Sequence, residues 1–224
     1  MSWEKSFLDI NALLNAYVGK EYGENPIENI DTIREAKKNE CSTIANLVEI
    51  KDTDVLVDLG SGCGHMALGF VDKVKFIYCV DVNKDFLNFC KEEMKDKNNV
   101  GYHLIQYGDL TPLHNKDITL IYSTALSIHF HLYDVYHYLK ACYDCLSKGG
   151  KFVFNFLDDN NLDINNLDFI KYASRYRKNR DIVSIMCHYN NPQVVKKIAY
   201  ELGFSLINES YDVTNNLRFF VLEK

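Results

Sequence analysis

Apolar and polar positions alternate between two rhythms along most of the chain. Short, nearly unbroken apolar runs at 54–59, 75–81, 102–107, 117–122 and 150–156 read as strands buried on both faces. Between them, at about 65–73, 84–96 and 131–146, apolar residues return every three or four positions, the spacing of one helix face. This alternation predicts a doubly wound α/β fold, a mostly parallel sheet with both faces covered. The first fifty residues are helical in pattern. Phe7, Ile10, Leu14 and Tyr17 keep helical spacing until Gly19, Gly23 and Pro26 interrupt it, and a second helix carries Ile30, Ile33, Lys37, Cys41, Ile44 and Leu47, mostly apolar on one stripe. After residue 156 the pattern changes. A long insertion, 157–190, begins with the polar run Asp158-Asp-Asn-Asn161, and Asn191-Pro192 then supplies an N-cap and first-turn pair for a helix ending at Gly203. Two closing strands, about 204–210 and 217–223, are joined by Thr-Asn-Asn and read as a hairpin at the sheet edge.

Composition narrows the class without naming a chemistry. The 224 residues are 47% apolar and 25% charged, which suits a soluble α/β domain. A net charge of −6 argues against a general nucleic-acid binder. No apolar stretch reaches the roughly 18 residues of a membrane helix, and Met-Ser-Trp-Glu-Lys does not open a signal peptide, so a cytoplasmic location without membrane partners is expected. The seven cysteines are scattered. Cys142 and Cys145 have zinc-like spacing, but no second pair completes a site, so they read as one helix face and no metal is expected. The oligomeric state is open.

The chemistry begins at Val55-Leu-Val-Asp-Leu-Gly-Ser-Gly-Cys-Gly-His65. An apolar run ending in an acid and then glycines is a strand turning sharply into a helix. A dinucleotide site uses G-x-G-x-x-G to bring helix amides to a pyrophosphate. Here the third glycine comes one residue early, and Asp58 would repel a pyrophosphate while suiting a cationic ligand. That points to S-adenosylmethionine, with its sulfonium and ammonium, over a nicotinamide cofactor. Asp81 ends the second strand, 17 residues past Gly64, where an acid can receive ribose hydroxyls; Asn83 is the better placed helix cap.

On Asp58-Leu-Gly-Ser-Gly-Cys-Gly64 the chain resembles the class I S-adenosylmethionine-dependent methyltransferases, small-molecule type, over roughly residues 40–224. The resemblance implies a seven-stranded sheet with an antiparallel last strand. It divides the chain into an N-terminal helical lid, 1–50, and a cofactor-binding domain, 51–224, with 157–190 as a substrate-side insertion. It places the cofactor against Asp58, Gly60, Ser61, Gly62, Gly64 and His65, with Asp81 and Val82 at the ribose. Asp109 would receive the adenine amino group beside Gly108, Leu110 would pack on the ring, and Ser123 would touch the methionine portion.

The acceptor side is less legible. A hydroxyl acceptor needs a base, and Ser127-Ile-His-Phe-His131 offers His129 first and His131 second; His188 could reach the same pocket from the insertion. Each also reads as a packed or capping histidine. Tyr17 and Tyr22 are candidate lid contacts with substrate. Arg175 and Arg177, in the basic run 171–180, would suit an anionic small molecule such as a phosphorylated or nucleotide-linked sugar, unless that run is a solvated helix face. The expected activity is transfer to a small-molecule hydroxyl, with no nucleic-acid partner. Transfer to nitrogen and a non-catalytic S-adenosylmethionine-binding module remain as alternatives.

Overall fold

The computed structural model describes residues 6–7, 9–19, 21–161 and 187–224. Eight strands form one sheet: β1 (Val55–Leu59), β2 (Phe76–Asp81), β3 (Val100–Leu104), β4 (Ile118–Ser123), β5 (Leu146–Asp158), β6 (Tyr189–Asn190), β7 (Ser205–Asp212) and β8 (Leu217–Glu223). Their order is β3-β2-β1-β4-β5-β8-β7, with the two-residue β6 beside the end of β5. Among the described strands β8 alone runs opposite to the rest, antiparallel to β5 on one side and β7 on the other. Strand order reverses between β1 and β4, and Asp58 of β1 stands opposite Cys79 of β2 and Tyr122 of β4. Ligands of such sheets bind at the carboxyl ends beside that reversal.

The pleat sorts side chains to two faces. Val55, Val57, Leu59, Ile121, Phe152, Phe154 and Phe156 pack in one core with α5 (Leu132–Cys145) and α6 (Pro192–Glu201). Leu56, Ile77, Leu120 and Val153 point the other way, toward α2 (Ile30–Leu47), α3 (His65–Phe70) and α4 (Lys84–Glu93). Cys41 and Ile44 of α2 belong to that second core. The helix is thus part of the sheet's covering layer, and the boundary drawn at residue 50 runs beside a continuous core. α1 (Ile10–Val18) is set apart: Leu13 and Leu14 seat it on Cys63 of the glycine turn and Phe86 of α4.

Two strands differ from the sequence expectation in ways that shape the site. β3 ends at Leu104 instead of 107, because the chain turns there. Ile105 N–H bonds the carbonyl of Asp81, and Tyr107 and Gly108 adopt φ of 25° and 70° in a turn closed by Asp109 N–H on Gln106. β5 is longer than 150–156, since it pairs with β8 from Lys151 to Leu157 and with β4 from Leu146. No described helix is long and apolar enough to cross a membrane.

Candidate functional site

Three neighbouring cavities follow the carboxyl ends of the strands. The first, about 230 Å³, is an apolar slot between Leu59, Val80, Val82, Ile105, Phe130 and Tyr138, with Asp81 and Tyr107 at its rim. It shares Gly60, Asp81, Val82, Leu126 and His129 with a second, about 560 Å³, over Asp58, Ser61 and Gly62. The second shares Tyr17, Glu21, Lys37, Thr124, Ala125 and Ile128 with a third, about 910 Å³. That chamber lies over Asn155, Leu157, Leu217 and Phe219, with the hairpin tip 212–216 at its far end.

The glycine turn is tied to β2. Gly60 and Ser61 donate their N–H groups to the Val80 carbonyl at 2.8 and 3.0 Å, and Gly62 N–H donates to Asp81 Oδ2 at 2.9 Å. Gly62 has φ 51°, and a Cβ there would lie 2.5 Å from the Tyr17 ring; Gly64 has φ 80°, and its Cβ would meet Cys90 Sγ at 2.3 Å. Both positions therefore need glycine twice over, for conformation and for space.

The polar groups of the second cavity fit a cationic ligand. Burial pushes the Asp58 carboxyl up to about 7, against the Tyr122 hydroxyl beside it, and Oδ2 has no hydrogen-bond partner. Ser61 Oγ is likewise buried and unpartnered. Such groups are costly unless a ligand satisfies them, and an ammonium would do so at Asp58. Asp81 is pushed up to about 6 by burial, opposed by the amides of Asn83 and Gly62 that bond its two oxygens. Each oxygen keeps a further lone pair for a hydroxyl donor. Asn83 caps α4 by accepting from Asp85 and Phe86, so Asp81 is not needed there. The neighbouring apolar slot suits an adenine. The residues present therefore fit S-adenosylmethionine.

Several sequence candidates stand elsewhere. His65 is wholly buried and lines none of the three cavities: Nε2 lies 3.2 Å from Glu93 Oε2, and the ring packs edge-on with Tyr17 and Phe89. Arg34 forks onto the same carboxylate with two 2.6 Å bonds. Although burial opposes it, the His65 bond and the Arg34 fork hold Glu93 down to about 2. His65 thus ties the start of α3 to α4 and α2. Gly64, as the residue entering α3, is also inside the fold and not at the cavity wall. Asp109 is exposed, with Oδ1 accepting Thr111 N–H at 3.0 Å, and Leu110 is buried in the core. Because β3 ends early, Ile105 and Tyr107 take the slot positions expected of Asp109 and Leu110. Gly108 lies under the Tyr138 ring. Ser123 is buried and the next residue, Thr124, lines the cavities.

Of the histidines, His129 lines the first and second cavities at their junction. His131 caps α5, accepting the amide of its third residue while its own N–H donates to Asp134 Oδ2 at 3.1 Å. It is exposed at the rim of the slot, away from the chamber. His188 lines none of the three cavities; its N–H donates to the Ile128 carbonyl at 2.7 Å and its ring lies 3.7 Å from that of His131. Tyr17 and Tyr22 line the chamber, and Tyr17 also lines the second cavity. Arg175 and Arg177 lie outside the described residues. The sequence reading missed Lys37, Tyr138, Asn155 and Tyr211. Helical spacing marks Lys37 and Tyr138 only as helix positions, and Asn155 alone, a polar residue inside an apolar strand, carried a signal.

Residues 57–154 match a family model described as a methyltransferase domain. Over 80 residues the chain is 31% identical to ribosomal RNA small subunit methyltransferase A of Fusobacterium nucleatum, covering 36% of this chain and 28% of that protein. The protein of that name from Syntrophus aciditrophicus is 28% identical over 101 residues, covering 41% and 36%. The chain thus spans about a third of the length of these curated relatives. Among solved structures, it resembles magnesium protoporphyrin IX methyltransferase from Synechocystis with bound SAH, with TM-score 0.63 at 10% identity, covering 85% of this chain and 82% of that one. Phosphoethanolamine N-methyltransferase 2 of Haemonchus contortus in complex with S-adenosyl-L-methionine gives TM-score 0.65 at 15% identity, covering 83% and 52%. A Haloferax volcanii complex of the Trm112 methyltransferase activator with a methyltransferase gives 0.66 at 12%, covering 97% and 99%.

Proposed function

We propose that the chain, whose residues 57–154 match a methyltransferase domain, is an S-adenosylmethionine-dependent methyltransferase that methylates a hydroxyl of a small molecule seated in the chamber over β5 and β8. One observation carries the reading. The chamber shares Tyr17, Lys37, Thr124 and Ala125 of its wall with the donor cavity and is lined by residues of α1, α2, β5 and the β7–β8 hairpin, at a volume usual for small-molecule sites.

S-adenosylmethionine supplies a methyl carbon already activated by a sulfonium leaving group, so alignment and exclusion of water are the protein's main tasks. Asp58 receives the ammonium, Asp81 the ribose hydroxyls, and the apolar slot the adenine. Tyr17, over Gly62, shields the donor cavity from water. His129 lines the slot and the donor cavity and not the chamber, so it takes the proton of an acceptor hydroxyl that reaches from the chamber into the donor cavity. The relatives' names raise ribosomal RNA as an acceptor. Glu21, Glu40 and Asp212 in the chamber lining, and a net charge of −6, disfavour a phosphate backbone there. Lys37, 2.8 Å from Glu40, is the described lining residue able to meet an anionic acceptor; Arg175 and Arg177 would add to it.

A second reading, transfer to an amine, is favoured by Glu21 and Glu40 in the chamber lining, where carboxylates would hold a cationic nitrogen. His129→Ala separates the two. A hydroxyl acceptor predicts a fall in kcat of about 100-fold or more with S-adenosylhomocysteine binding intact. Near-normal turnover removes His129 as base and favours the amine.

A further inference from the structure

β5 alternates its side chains between the faces of the sheet. Phe152, Phe154 and Phe156 enter the core beneath α5 and α6, so Asn155 and Leu157 face the chamber. Asn155 is only 3% exposed, and burying an amide is unfavourable unless its groups are used. One group is used: Oδ1 accepts the N–H of Ala125 at 2.9 Å. An N–H can meet only the oxygen of an amide, so this bond fixes the amide's rotation and turns Nδ2 away from Ala125. No described residue accepts from Nδ2. Ala125 itself has φ 58°, a left-handed conformation unusual for alanine, and lies on the wall shared by donor cavity and chamber. The amide is clamped where donor and acceptor meet.

The hairpin at the far end of the chamber is also held in place. Tyr211 lies beneath the Arg218 guanidinium at 4.7 Å and donates its hydroxyl to Asn216 Oδ1 at 2.7 Å. Arg218 is fixed by two bonds, 2.9 and 2.6 Å, to the buried carboxylate of Asp158.

We propose that Asn155 is an acceptor-recognising residue, donating from Nδ2 to an oxygen of the acceptor next to the atom that is methylated. The acceptor class is therefore narrowed to small molecules with a hydroxyl, carbonyl or carboxylate oxygen beside the methylated position. This rests on the small-molecule reading above.

The test uses the full chain, methyl-labelled S-adenosylmethionine, and, as probe, a mixture of small hydroxy and amino metabolites freed of protein and nucleic acid. Asn155→Asp keeps an oxygen for Ala125 but replaces the donors with a group that repels an acceptor oxygen. At low probe concentration, labelling of small molecules is expected to fall about tenfold or more. Raising the probe should recover part of the rate, while S-adenosylhomocysteine affinity and Tm stay at wild-type values. If the aspartate variant is unstable, Asn155→Ser, whose shorter hydroxyl withdraws the donor, is expected to give the same pattern. Wild-type labelling by a stable variant overturns the proposal, as does a parallel loss of S-adenosylhomocysteine affinity, which would mark Asn155 as a support of the donor cavity. A wild-type protein that labels RNA and no small molecule removes the small-molecule reading, and the role of Asn155 with it.

Discussion

Asp58 and Asp81 end neighbouring strands, and burial makes both hold their protons more firmly than a carboxyl in water. Asp58, raised from 3.8 to about 7, stays protonated in the folded chain over a range where the unfolded chain has released its proton. Stability without cofactor should therefore decline as pH rises from about 4 to 7, because the folded state binds more protons there. Cofactor binding has the opposite sign. The ammonium needs the ionised carboxylate, so affinity for S-adenosylhomocysteine should fall about tenfold for each pH unit below 7. Calorimetry in buffers of different ionisation enthalpy should register proton release on binding near pH 6.5. Asp58→Asn should flatten this dependence and bind more weakly at pH 8; an unchanged pH profile in that variant would remove Asp58 from the ammonium site. Asp58 was legible in the sequence because its meaning is local, an acid two residues before a glycine. Asp109 was misplaced because its orientation depends on where β3 ends. That end is set by the Ile105–Asp81 bond between two strand ends, which no local pattern displays.

Among the elements, the glycine turn and α4 are fitted with little room between them. Gly64 enters α3 at φ 80° directly over Cys90. Gly64→Ala should lower stability by about 1–3 kcal/mol through backbone strain and overpacking, and weaken S-adenosylhomocysteine binding. Thermal melts and calorimetry of the variant test this; a wild-type Tm would show that α4 yields easily. The strands and helices of residues 54–156 were legible because their periodicities differ clearly and each buries a face. The role of α2 was not. An amphipathic helix before the first strand reads equally as a lid or as a covering layer, and only Cys41 and Ile44 meeting Leu56 and Met66 distinguish them. His65 shows the same limit: a polar residue beside glycines looks like a ligand contact until Glu93 and Arg34, far along the chain, close around it.

For the molecule as a whole, the asymmetry of the sheet matters most. α2, α3 and α4 cover one face as far as Val153 of β5 and Val221 of β8, and beyond them, over Asn155, Leu157, Leu217 and Phe219, that same face opens into the chamber. The donor cavity forms at the strand-order reversal, which the sequence displays through its motifs. The chamber arises from helices that stop short, a tertiary fact with no motif. The central claim is that a methyl group passes from the donor cavity to a small molecule in this chamber. Incubating the full chain with methyl-labelled S-adenosylmethionine, small metabolites and ribosomal RNA, then separating the fractions, tests it directly. Label in the small-molecule fraction, lost in Asp81→Ala, is the expected result. Label confined to RNA, or S-adenosylhomocysteine binding without transfer to any fraction, would contradict it.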